Sequence, residues 1–179
     1  FKIPIISFYV FSTENWKRPK SEINYLFNLI NIYFKKEINN IVKNKIKIII
    51  TGEIKKLPSK IREVLKIVTR KTRNNNKLVV NLAINYGSKN EIINAIKKIK
   101  YNFKKITEEK ITKNLYSNLV FPDILIRTGG QKRLSNFMLW QIAYTEIFFL
   151  DKLWPEFKEN DLKKIIKKYH KIKRNFGGI

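Results

Sequence analysis

Ten consecutive residues, Arg127-Thr128-Gly129-Gly130-Gln131-Lys132-Arg133-Leu134-Ser135-Asn136, hold the densest group of anion-seeking side chains in the sequence. Two guanidinium groups, an ammonium and two hydroxyls surround a glycine pair. A guanidinium meets phosphate oxygens with two parallel, charge-assisted hydrogen bonds. Glycines let backbone N–H groups approach an anion closely. The same residues would also suit a solvated loop that uses Gly-Gly only to turn. Because Arg127 directly follows a buried, strand-like run at 124–126, the anion-binding reading is preferred.

A second polar cluster is Ser12-Thr13-Glu14-Asn15-Trp16-Lys17-Arg18. Its hydroxyls, acid, amide and Arg suit a polar ligand head. They equally suit a helix start, with Ser12 or Asn15 as cap and Pro19 in the first turn. A third candidate is Glu146, a carboxylate inside the otherwise apolar stretch 137–150. Such a group is paired, protonated or metal-bound, and Mg²⁺ takes one or two carboxylates together with phosphate oxygens and waters. The plainer reading is an ion pair with a nearby Lys or Arg. Asn85-Tyr86-Gly87 reads as a strand-to-helix turn, Trp140 and Trp154 as core aromatics, and His170 as a solvated side chain in a Lys-rich helix.

Composition narrows the classes of function. The 179 residues include no Cys and one His, which excludes a disulfide scaffold, a thiolate zinc site, a Cys nucleophile and a multi-His metal centre. A chain of this length buries roughly two-thirds of its unfolded surface, so it holds a core without staples. The formal charge of +24 invites a nucleic-acid reading. However, Lys is spread over every predicted helix face, aromatics do not interleave with it as stacking platforms, and the surplus of Lys, Ile and Asn reads as compositional bias. No nucleic-acid partner is therefore expected, while attraction to diphosphates and acidic lipid surfaces is. No stretch is long and apolar enough to span a bilayer and no signal peptide is seen. We therefore expect a cytoplasmic protein with peripheral membrane contact at most. The sequence opens at Phe1 in what reads as a strand, so an upstream piece is expected to be missing.

The elements that must position these residues follow from periodicity. Residues 3–10 read as a buried strand. Pro19 then opens an amphipathic helix to about residue 44, with Ile23, Leu26, Phe27, Ile30, Phe34, Ile38 and Ile41 at three- and four-residue spacing. Strands are expected at 46–51, 78–84, 124–126 and 147–150. Further helices are expected from Pro58-Ser59, from Ser88 (with Glu91 at capping-box distance), from Thr107, over 137–144 and from Asn160 or Asp161. Alternating strands and helices predict an α/β fold, a mostly parallel β-sheet flanked by helices on both faces, in one domain over 1–179. In such sheets ligands sit beyond the carboxyl ends of the strands, where the clusters at 12–18, 85–88 and 127–136 fall.

Taken together, these clusters resemble the cis-prenyltransferase family, and its bacterial members in particular. The stretches that carry the resemblance begin with Phe8-Tyr9-Val10-Phe11-Ser12-Thr13-Glu14-Asn15-Trp16-Lys17-Arg18-Pro19 and Asn81-Leu82-Ala83-Ile84-Asn85-Tyr86-Gly87. Pro122-Asp123-Ile124-Leu125-Ile126-Arg127-Thr128-Gly129-Gly130 follows, and then Arg133-Leu134-Ser135-Asn136-Phe137-Met138-Leu139-Trp140-Gln141. Ala143-Tyr144-Thr145-Glu146, Leu153-Trp154-Pro155-Glu156-Phe157 and Phe176-Gly177-Gly178 complete the set, in order along essentially the whole chain.

The resemblance implies a Mg²⁺-dependent isoprenyl transferase that condenses isopentenyl diphosphate onto an allylic diphosphate, farnesyl diphosphate in the usual case. Its product would be the polyprenyl carrier lipid of cell-wall synthesis, grown in a hydrophobic tunnel by a homodimer. It implies that Arg127, Arg133, Leu134 and Ser135 bind isopentenyl diphosphate. Ser12, Thr13, Glu14, Trp16 and Arg18 would line the substrate site, and Glu146 would bind Mg²⁺. Asn15 falls where the family has its proposed proton acceptor, yet a neutral amide is a poor base, so Asn15 is expected to orient the group that takes the proton. The long helix from Pro19 would wall the tunnel. Three departures stand out. The family's first strand and Asp-Gly-Asn segment would lie upstream of Phe1. Lys132 replaces a common His, and Asn175 a common Arg. A noncatalytic subunit or remnant of the same fold is the alternative reading.

Overall fold

The computed structural model describes residues 2–99 and 106–174. Asn175 and Phe176-Gly177-Gly178 lie outside the described residues. The chain forms two compact units, residues 1–117 and 118–179.

In the first unit the strands β1 (Ile5–Ser12), β2 (Ile46–Thr51) and β3 (Leu78–Tyr86) form a parallel sheet in the order β1-β3-β2. Parallel strands need crossovers. Helix α1 (Lys20–Lys43) joins β1 to β2, and α2 (Ser59–Thr72) joins β2 to β3. Helices α3 (Ser88–Lys98) and α4 (Glu108–Lys113) follow. Pro19 and Pro58 immediately precede α1 and α2, where a missing N–H costs no helical bond. The expected periodicity produces the core. Ile23, Phe27, Phe34 and Ile41 of α1 meet Ile61, Leu65 and Val68 of α2 and Phe11, Ile48 and Ile84 of the sheet. Each such side chain contributes about 1.5–3 kcal/mol by leaving water. Asn31 interrupts this face: it is buried and its Oδ1 has no hydrogen-bond partner. The opposite sheet face carries a short polar row, in which Thr51 Oγ1 donates to Asn81 Oδ1 at 3.2 Å and Asn81 Nδ2 donates to Ser7 Oγ at 3.1 Å.

In the second unit β4 (Ile124–Arg127) and β5 (Glu146–Phe149) pair in parallel, with Ile124 opposite Glu146 and Arg127 opposite Phe149. Helix α5 (Glu159–Tyr169) follows a 3₁₀ turn at Trp154–Glu156. Arg174 ties the end of this unit to β4: its Nη1 bonds Asp123 at 3.1 Å and its Nη2 donates to the Tyr144 carbonyl at 2.6 Å.

The parallel α/β class read from the sequence is the class observed, and every strand is found within two residues of its expected bounds. Two expectations fail. No helix forms over 137–144; consecutive turns do, with a helix-type bond from Ile142 N–H to Met138 C=O. Ser135, Asn136 and Met138 hold φ of 49°, 63° and 47°, so the backbone enters this stretch left-handed and cannot nucleate a right-handed helix. Trp154 is not a core aromatic. It is 58% exposed and stacks on Phe157 with ring centroids 5.6 Å apart.

Candidate active site

The polar loop after β4 is folded back on the end of β5. Leu150 N–H donates to Arg127 C=O at 2.8 Å, Gly130 N–H to Leu150 C=O at 2.9 Å and Gly129 N–H to Lys152 C=O at 2.9 Å. The glycine N–H groups are therefore committed to backbone carbonyls, and the expectation that they cradle an anion is corrected. Glycine is needed for conformation instead: φ is 87° at Gly129 and 70° at Gly130, a region costly for other residues.

The side chains of the loop converge. Arg127 Nη1 donates to Ser135 Oγ at 2.8 Å and to the Arg133 carbonyl, and Arg133 Nη1 donates to Gln131 Oε1. Arg127, Arg133 and Ser135 thus form one cluster, as the sequence reading required. Leu134 is half-buried between them, and Phe137 N–H donates to its carbonyl. Neither guanidinium has a carboxylate partner among the described residues. Burial first, and the charge of Arg133 second, lower the pKa of Arg127. Two adjacent cations without a counter-charge attract a multiply charged anion.

In the first unit, Thr13–Lys17 form a 3₁₀ turn directly after β1. Asn15 Oδ1 accepts the Ser12 backbone N–H at 2.8 Å, so Asn15 caps the turn with its oxygen, which leaves its amide N–H groups as donors. Trp16 packs edge-on against Phe11 and Phe27, 40% exposed, and its Nε1 donates to Asn85 Oδ1 at 2.7 Å. Asn85 in turn donates from Nδ2 to the Glu53 carbonyl at 2.9 Å, tying together the carboxyl ends of β1, β3 and β2. Its φ of 50° suits Asn better than most side chains. Beside it Gly52 has φ of 129°, and a Cβ there would sit 2.1 Å from the Ile84 carbonyl oxygen. Thr13 Oγ1 donates to Glu14 at 3.0 Å, and Arg18 pairs with Glu22 at 2.5 Å. Tyr9, whose hydroxyl donates to Tyr86 C=O at 3.1 Å, has its pKa pushed up to about 12, by burial first and by Glu14 second.

Sequence reasoning missed Glu91. The capping box from Ser88 does not form: Gly87 is the N-cap of α3, with no side-chain cap. Glu91 is 1% exposed; it accepts from the Tyr86 hydroxyl at 2.5 Å and from Tyr116 N–H at 2.9 Å. The visible signal was an acid three residues into a helix next to a Tyr-Gly turn, which fits a cap and a buried acceptor equally.

Glu146 opens β5, half-buried, with no ion pair among the described residues, so the simple ion-pair reading does not hold. Strand alternation puts it with Ile124, Ile126 and Phe148 on one face, and Arg127 with Ile147 and Phe149 on the other. Its register is three positions from that of Arg127, about 10 Å along the strands. The structure therefore does not join Glu146 to the arginine cluster. No group of three His, Cys, Asp or Glu side chains able to hold a metal occurs among the described residues. A lone carboxylate such as Glu146 is a hard oxygen ligand that suits Mg²⁺ completed by phosphate oxygens and water.

Comparison with known proteins places the chain in a family. A sequence model for undecaprenyl diphosphate synthase, of the prenyltransferase group, matches residues 1–177. An isoprenyl transferase of Fusobacterium nucleatum is 42% identical over 178 residues, covering 99% of this chain and 77% of that protein. A tritrans,polycis-undecaprenyl-diphosphate synthase (geranylgeranyl-diphosphate specific) of Thermoplasma volcanium is 43% identical, covering 98% and 72%. Among solved structures, a probable undecaprenyl diphosphate synthase from Campylobacter jejuni superposes with a TM-score of 0.91 at 40% identity, covering 97% of this chain and 83% of that one. Lavandulyl diphosphate synthase from Lavandula x intermedia, in complex with dimethylallyl diphosphate, gives a TM-score of 0.92 at 29% identity, covering 98% and 79%.

Proposed function

The chain belongs to the undecaprenyl diphosphate synthase family of cis-prenyltransferases, and from that membership we propose that it condenses isopentenyl diphosphate repeatedly onto an allylic diphosphate. The lipid made would be the polyprenyl diphosphate carrier of cell-wall synthesis. The observation that carries the assignment is the convergence of Arg127, Arg133 and Ser135 on one patch with no carboxylate partner among the described residues.

In each round the allylic C–O bond breaks, a bond forms from the allylic carbon to the terminal alkene carbon of isopentenyl diphosphate, a proton is lost and inorganic diphosphate leaves. Arg127, Arg133 and Ser135 hold the diphosphate of the incoming unit, and Leu134 fixes the loop that presents them. Holding this group so that its alkene meets the allylic carbon is an orientation effect. Ser12, Thr13, Glu14, Trp16 and Arg18 line the substrate site. Asn15, its oxygen occupied by Ser12 N–H, donates from its amide to a diphosphate oxygen or water that accepts the proton. Glu146 is the residue that would hold Mg²⁺, which supplies charge stabilisation to the departing diphosphate. The growing chain is buried in an apolar tunnel walled by α1, each five-carbon unit contributing roughly 4 kcal/mol.

We further propose a homodimer. Among the described residues β5 is paired on one edge only, and Ile147, Phe149, Leu153 and Trp154 are 37–61% exposed around it.

The test is incorporation of labelled isopentenyl diphosphate by the full-length protein, with farnesyl or geranylgeranyl diphosphate as starter and with or without a chelator. Metal-dependent formation of a long butanol-soluble product is expected. No incorporation by a folded protein with either starter would return the noncatalytic reading.

A further inference from the structure

Helix α1 is apolar on two opposite faces. Ile23, Phe27, Phe34 and Ile41 point into the core. At about 100° per residue, Tyr25, Leu29, Ile32 and Tyr33 fall on the other side, at i, i+4, i+7 and i+8. They are 63%, 43%, 52% and 58% exposed. Four large apolar side chains on one exposed helix face form a patch, unlike the scattered single residues of an ordinary surface. Lys36 and Lys43 continue the same face and are exposed. Together α1 and α2 carry nine basic and three acidic side chains. Of the acids, Glu22 is paired with Arg18, and Glu37 accepts from Asn40 Nδ2 at 2.9 Å.

We propose that this outer face of α1 docks the protein on an anionic lipid bilayer. An amphipathic surface of this kind binds through its buried apolar area and through attraction of its cations to acidic headgroups. Tyr25 and Tyr33 have the amphipathic ring favoured at headgroup depth. No helix among the described residues is long and apolar enough to span a membrane, so the contact is interfacial. A second copy of the chain is a poorer occupant, because it would bring two basic faces together. The proposal rests on the transferase reading in one respect: a polyprenyl product is too apolar to leave into water and requires a hydrocarbon phase beside the enzyme.

Flotation of the full-length protein with vesicles tests this. Vesicles of phosphatidylglycerol and phosphatidylcholine should bind at least tenfold more tightly than phosphatidylcholine alone, and added salt should weaken the binding. The double change Leu29→Gln with Ile32→Gln should reduce binding at least tenfold with the melting temperature unchanged, and Lys36→Glu with Lys43→Glu should abolish the preference for anionic vesicles. Equal binding to both vesicle types, or unchanged binding in both double variants, overturns the proposal. So does a dimer-to-monomer shift of the Leu29→Gln, Ile32→Gln protein in light scattering, which would give the face to a second copy. Turnover of diphosphate substrates in detergent is read separately and should not change in that variant. If the unaltered protein shows no turnover yet follows the vesicle pattern, the transferase reading fails and the docking surface stands.

Discussion

The two units of the chain use their backbone differently. In the first unit three strands and two long helices enclose a cluster of eleven buried apolar side chains, and among the described residues the left-handed backbone conformations are confined to Lys45, Gly52 and Asn85. In residues 118–179 both strands have only four residues and no fully buried side chain, and five positive-φ residues crowd between Gly129 and Met138. The first unit stores stability in regular layers. The second spends backbone strain, of order 1 kcal/mol or more at each non-glycine position, to bring two arginines and a serine together. The contrast predicts that the apolar layers and the arginine loop can be perturbed separately, and substitutions test that separation.

The sharpest way to break that separation is Arg127→Ala. Arg127 is proposed to hold the diphosphate of the incoming unit, and misplacing that unit costs about 10²-fold in turnover, while the melting temperature should barely move, because the Arg127 side chain bonds only within its own loop. Steady-state kinetics beside a thermal melt checks both. A large loss of stability would mean that the loop is structural. The converse is Leu65→Ala, at a residue 2% exposed in the α1–α2 core. A cavity there costs about 3 kcal/mol in chemical denaturation, with kcat nearly unchanged at a temperature where the protein stays folded.

Next in size is Glu91→Gln. The amide keeps the shape but replaces one acceptor by a donor, so either the Tyr86 hydroxyl or Tyr116 N–H loses its partner. A buried unsatisfied group costs about 2 kcal/mol, and the loss should appear in denaturation with little change in substrate KM. A milder effect is expected with pH. The Tyr9 hydroxyl is pushed up to about 12 from its ordinary 10. Between those values the unfolded chain gives up this proton while the folded chain keeps it, so the contribution of Tyr9 to stability falls as pH rises through that window. Comparing wild type with Tyr9→Phe by denaturation at pH 9 and pH 11.5 should show the steeper loss in wild type.

The same division explains what could be read from sequence. The layers of the first unit were legible because burial repeats: Ile23, Phe27, Phe34 and Ile41 mark the inner face of α1, and β2 was found at its expected residues. The arginine cluster was legible in part from residue type, since Arg127, Arg133 and Ser135 fall close together after a strand and their side chains do converge, whereas the Gly-Gly pair serves the turn. What failed depended on backbone conformation or on distant partners. Nothing in Phe137-Met138-Leu139-Trp140 reveals that Ser135 and Asn136 enter left-handed. The glycine N–H groups are taken by the carbonyls of Leu150 and Lys152, twenty or more residues away. Glu91 looked like a cap because the partner that settles its role, Tyr116, comes twenty-five residues later. Alternation and register separate Glu146 from Arg127 only once the pairing of β4 with β5 is known.

The smallest effect refines the comparison within the first unit itself. Asn31 lies on the buried face of α1, and its Oδ1 meets no donor. Regular layers gain nothing from such a group, since a desolvated amide oxygen without a partner costs about 1 kcal/mol or more. Asn31→Leu restores the apolar repeat with the same number and branching of side-chain heavy atoms and removes that cost. We expect a gain of about 1 kcal/mol, a rise in melting temperature of about 2–4 °C for a chain of this size. If α1 walls the product tunnel, the same change also makes that wall more apolar, and the length of the labelled product would shift with it. Stability that rises while product length stays fixed would place Asn31 in the core alone, and a change in both would put the tunnel against this part of α1.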